Sequence, residues 1–146
     1  MSTKVTQNFL YLLAKGDVDL DAGADSLIII LMDTGFVYDR ASHHDYADVS
    51  ADELGAGNGY LQKTKVMAGI SISRNDTLYK VTITWTNPAW TASGGAIGPS
   101  PGAFILDDTV TDDPLVCYID FGGEGTEPDG GVFTISNPTL ELATNA

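Results

Sequence analysis

The residues of this chain whose types and spacing could do chemistry are mostly acids. In "KGDVDLDAGADSLIIILMD", Lys15 to Asp33, the carboxylates Asp17, Asp19 and Asp21 occupy alternate positions ahead of an aliphatic run. That matches the first half of a calcium loop, which takes oxygen ligands at positions 1, 3, 5, 7, 9 and 12 and needs glycine at position 6. Counting from Asp17, position 6 is Ala22 and position 12 is Ile28. The sharp turn and the bidentate carboxylate are both missing, so the stretch reads as a solvated turn between a helix and a strand. Calcium would need carboxylates from another loop or subunit.

The other candidates are weaker. His43 and His44 stand side by side next to Asp45, and adjacent side chains diverge too far to chelate one ion, so they read as an exposed loop pair. Cys117, between Val116 and Tyr118, reads as a small core residue. No serine lies in a G-x-S-x-G turn. The Gly/Pro run "WTASGGAIGPSPGAF" (Trp90 to Phe104) lacks the lysine and the following helix of a phosphate cradle, and reads as a rigid, exposed connection. Asp107 with Asp108, and Asp112 with Asp113, read as a solvated hairpin tip that keeps a sheet edge from self-pairing. These residues predict no catalytic set, no metal site and no cofactor.

The elements that must position these residues are mainly strands. Val5, Phe9, Leu12 and Leu13 fall at helical spacing before Lys15 and Gly16, predicting one short N-terminal helix stopped at the glycine. "SLIIILMD" is apolar on both faces, as in a central strand covered from both sides. In "MAGISIS" and "YKVTITWT" the apolar sets are Ala68, Ile70, Ile72 and Val81, Ile83, Trp85, with "RNDT" as the hairpin turn between them. "GAFILDD" and "PLVCYIDF" predict a second hairpin, and "GVFTIS" and "TLELA" close the chain. Strands at this spacing predict a mainly β domain over 1–146: an antiparallel β-sandwich or jelly-roll-like barrel with one short N-terminal helix. Residues 36–59 form a long loop with a short helical turn, in which Ser50 and Glu53 fit a capping box. The loop reads equally as a partner contact or as a crossover between sheets.

Composition narrows the function classes. Twenty acids against seven bases give a net charge of −13, which repels phosphate backbones and anionic membranes. No nucleic-acid or membrane partner is expected. The chain is 146 residues long, 43% of them hydrophobic, and can bury a core without a metal or disulfide. One cysteine, and no basic-then-apolar layout at the N-terminus, fit a reducing cytoplasm.

Two stretches carry a resemblance: "ADVSADELGAGNGY", and "VTITWTNPAWTASGGAIGPSPGAFILDDTVTDDPLVCYIDFGG". Their order resembles a group of small tailed-bacteriophage virion proteins in which "ADVSANE…GTGY", "TFTASGGSI…AR.AVLYND" and "DPLI…" recur in the same succession. The likeness runs from about Leu10 to Ile135. Many members have arginines after "GGSI" where this chain has "GPSPG", Gly98 to Gly102. The resemblance implies a capsid decoration (cement) protein on the virion surface, assembled in the host cytoplasm. Its implied partners are the major capsid protein and itself, as a dimer or trimer. Two alternatives stand beside it: a neck or tail component, and a carbohydrate- or receptor-binding module built on Trp90. The expected contact residues are His43, His44, Tyr46, Trp90, Ile97, Pro99 and Pro101. All but Trp90 lie in the 39–59 loop and the Gly94 to Gly102 connection, and an N-terminal arm over Ser2 to Asn8 is expected to make contact as well.

Overall fold

The computed structural model describes residues 1–144. Its strands are β1 Ser2–Val5, β2 Leu27–Leu31, β3 Lys65–Val66, β4 Ser71–Asn75, β5 Lys80–Thr84, β6 Ala89–Thr91, β7 Ile97–Asp107, β8 Leu115–Glu127, β9 Val132–Thr134 and β10 Thr139–Ala143. They form antiparallel sheets ordered β1-β8-β7-β2-β3, β10-β5-β4 and β6-β9. Two short helices, α1 Gln7–Lys15 and α2 Tyr46–Val49, complete the mainly β, sandwich-like fold that the strand spacing predicts.

The main sheet is covered on both faces. Leu27, Ile29 and Leu31 join Ile105, Cys117 and Ile119 in one core cluster, closed by Ile83, Leu140, Trp90 and Phe133 of the smaller sheets. Ile28, Ile30 and Met32 join Phe104, Leu106, Leu115 and Tyr118 in a second cluster, against which Phe36, Tyr38 and Tyr46 pack. Side chains alternate along a strand, so a strand with two covers must be apolar throughout. All five residues of β2 are buried, each contributing about 1.5–3 kcal/mol relative to exposure.

The N-terminus departs from the predicted helix. Thr6 is extended (φ −83°, ψ 150°) and caps α1 by accepting the Phe9 N–H at 3.2 Å, while its own hydroxyl donates to the Leu115 carbonyl. The helix therefore starts at Gln7, and Val5 belongs to β1, paired with Cys117. The stop is as predicted: Gly16 is left-handed (φ 79°) with its N–H on Leu13 O. The expected arm over Ser2 to Asn8 is thus an edge strand and a helix start.

Three further expectations are corrected. The Gly94 to Gly102 run is not an exposed connection, because from Ile97 it is the first half of β7, paired with β8 through register shifts on either side of Ser100. Prolines fit there because bulges interrupt the ladder that needs their missing N–H. The helical turn over 46–49 is capped by Asp45, with Asp48 accepting the N–H groups of His44 (2.9 Å) and Asp45 (3.0 Å); Ser50 and Glu53 do not form the box. Ile72 faces the same side as its cross-strand partner Ile83, yet it is 47% exposed because β4 is the outer strand of its sheet and Ile72 stands outside the core cluster that Ile83 joins.

Candidate interaction surface

The 36–59 segment lies over the outer face of the main sheet, and its chemistry-bearing residues are spent on holding it there. His43 stacks on Phe36 at 5.3 Å, stands edge-on to Phe104 at 6.5 Å, and accepts the Asp39 N–H at Nδ1 (3.1 Å). His44 is half-buried, with Nε2 3.1 Å from Ala41 O. Asn8 of α1 donates to Asp45 Oδ1 at 2.9 Å and to His44 O at 3.3 Å, tying the helix to the same segment. Neither histidine is the freely exposed loop residue that was expected.

Glu53 is the anchor of this segment. Buried at 4% exposure, it accepts the hydroxyls of Tyr46 (2.6 Å) and Tyr60 (2.7 Å) and the Lys63 N–H (2.8 Å). A buried carboxylate is tolerable when hydrogen-bond donors satisfy it, and two hydroxyls and one backbone N–H do so here. Burial, then the bond to Glu53, raises both tyrosine hydroxyls well above their ordinary range. Lys63 lies 4.8 Å over the Tyr46 ring and pairs with Asp113 at 2.5 Å and Asp108 at 3.6 Å. This links the segment to the β7–β8 turn, and Tyr46 is a component of that link.

Trp90 is 4% exposed and packs on Tyr60 (5.8 Å) and Phe133 (6.2 Å). The freer, surface-placed Trp90 expected from the sequence is therefore corrected to a core residue; Pro88 does not free it, because β6 pairs Trp90 with Phe133. Ile97 is buried as well, Pro101 half-buried and Pro99 exposed. Of the seven expected contact residues, the structure gathers His43, His44 and Tyr46 on one covering segment. Pro99 and Pro101 lie along β7, and Trp90 and Ile97 are inside.

The acidic stretch folds on its own carboxylates. Asp25 accepts the Asp19 N–H at 2.7 Å, Asp19 the Asp21 N–H at 3.0 Å, and Asp21 the Ala22 N–H at 2.9 Å. Asp107 is not part of a solvated tip. It is fully buried, with Oδ1 accepting Thr109 N at 2.9 Å and Val110 N at 3.2 Å, while Oδ2 has no donor. Cys117 is fully buried, and burial pushes its thiol up to about 12. Among the described residues, no group of three or more His, Cys, Asp or Glu is arranged to hold a metal. No helix among the described residues is long and apolar enough to cross a membrane.

The charge along the chain is unevenly distributed. Residues 54–106 hold four of the seven bases, Lys63, Lys65, Arg74 and Lys80, and a single acid, Asp76; the other nineteen acids lie outside this stretch. The same stretch builds β3 to β6 and exposes Leu61, Val66, Ile72, Leu78 and Tyr79. Counting acids along the chain would have found it. Elsewhere, an open groove of about 590 Å³ is lined by Gly122 to Gly125 of β8 and Phe133 to Ser136, with Phe121. Compared with known protein families, with curated proteins and with solved structures, the chain has no match.

Proposed function

We propose that this chain is a structural protein of a tailed-bacteriophage virion, a decoration (cement) protein that binds the major capsid protein of the assembled shell and stabilises it. The observation that carries the reading is the shared order of "ADVSADELGAGNGY", "TASGGAI" and "DPLVCYIDFGG" along most of the chain. The molecule is compatible with that role. Its side chains of greatest chemical interest hold loops in place, and its charge keeps a protein packed at high copy number soluble. Binding across neighbouring shell subunits would stabilise the lattice by mass action, with no catalytic step. The contact set proposed is the exposed part of the covering segment, Val37 and Asp39 to Ser42, with Pro99. Trp90, which motivated a sugar platform, is buried and gives that alternative no support.

The test is to compare particles assembled with and without this chain. Decoration predicts copies in proportion to the shell lattice, density on the capsid surface, and heat-induced rupture at lower temperature in the particles lacking it. A few copies set by neck or tail symmetry, with intact capsids that fail to join tails, would replace this reading with the neck or tail alternative.

A further inference from the structure

The β4–β5 hairpin has structure that the single chain does not use. Among the described residues, strand β4 has β5 on one side and no strand on the other, and all five of its residues, Ser71 to Asn75, are exposed. A strand bare on both faces and along one edge presents a row of unpaired N–H and C=O groups, a template for strand addition. This edge is also held in shape. Asn75 Oδ1 accepts the N–H groups of Thr77 (3.0 Å) and Leu78 (2.8 Å), and Arg74 closes on Asp76 at 2.8 Å. Little ordering cost is left for a partner to meet.

Charge selects the partner. Two chains of net charge −13 repel one another across most of their surfaces, but this hairpin belongs to the stretch with one acid. Its cations are already neutralised, Arg74 by Asp76 and Lys80 by Glu141 at 2.6 Å. The edge is therefore close to neutral, and it is self-complementary. An antiparallel pairing with the two-fold axis at Ile72 sets that half-exposed isoleucine against its own copy. Ser71 then lies opposite Ser73, and Arg74 opposite Ile70, so no like charges face each other across the seam.

We propose that β4 is a homodimerisation edge: two copies of this chain pair β4 with β4 about Ile72, joining two three-stranded sheets into one of six strands. The pairing follows from the strand edge and the charge distribution, and does not rest on the virion reading.

Sedimentation of the full chain tests it. The wild type is expected to be a dimer at tens of micromolar, and Ile72→Lys, which sets two cations opposite each other, to weaken dimerisation at least about tenfold, with an unchanged melting temperature at dilutions where both proteins are monomeric. Ile72→Cys, oxidised, should give a disulfide-linked dimer, whereas the more exposed Tyr79→Cys, away from the axis, should not. A monomeric wild type, an odd-numbered ring, or a dimer indifferent to Ile72→Lys would overturn the proposal. If Ile72→Lys failed to fold, the two cysteine variants would still decide it.

Discussion

At the scale of single residues, Asp107 is the group least at ease in the fold. Burial first, then the neighbouring Asp25 carboxyl, raises its pKa from the ordinary 3.8 to about 6. Its unpaired Oδ2 is consistent with a proton held towards Asp25. Because the folded value lies above the unfolded one, the fold favours the protonated acid. That contribution is complete below about pH 3.8 and is lost as the pH rises through about 6. Asp107→Asn keeps an acceptor for Thr109 and Val110 and adds a donor for Asp25. It should exceed the wild type in stability at pH 7.5 by about 1–2 kcal/mol and lose that advantage at pH 4.5. Urea unfolding at the two pH values checks this, and equal stability at both would refute it. The sequence showed Asp107 and Asp108 as a pair of acids at the end of a strand; it could not show that β7 stops at Asp107 and takes only the first of them inside.

At the scale of elements, β7 and β8 set the tolerances. A Cβ at Gly102 would fall on the Tyr118 hydroxyl and the Ile119 carbonyl of the facing strand, whereas one at Gly123 meets nothing. Gly102→Ala is expected to cost about 2–4 kcal/mol and Gly123→Ala under about 1 kcal/mol, read as the difference in denaturant midpoints; equal costs would mean that the strands can move apart. The elements legible in the sequence were those with a period of their own. The doubly apolar β2, the Val81, Ile83, Trp85 alternation and the helix stopped by Gly16 all appear where expected. What was not legible depends on neighbours remote in sequence. Val5 leaves the helical pattern because β8 offers it a partner, Trp90 is covered by Tyr60 and Phe133, and Ile72 lies past the end of its cover. The histidine pair gave no hint that Phe36 and Phe104 would receive His43.

For the whole molecule, the segregation of charge has a cost in the isolated protomer, since nineteen of the twenty acids share what residues 54–106 leave of the chain. Raising sodium chloride from low salt to several hundred millimolar shortens the screening length. It should raise the melting temperature by about 2–4 °C, the shift that roughly 1 kcal/mol brings in a domain of this size. A melting temperature flat across that range would mean that acid–acid repulsion is already relieved within the fold. The sheet order carries a separate consequence, for synthesis. Leu27 to Leu31 pair with Ala103 to Asp107, and Ser2 to Val5 pair with Cys117 to Asp120. The ribosome therefore releases the most water-averse strand of the chain long before its partner β7, or the cover that Phe133 and Leu140 supply on one face, exists. The nascent polypeptide must carry five consecutive aliphatic side chains through most of translation, and the sheet can close only when the last third of the message has been read.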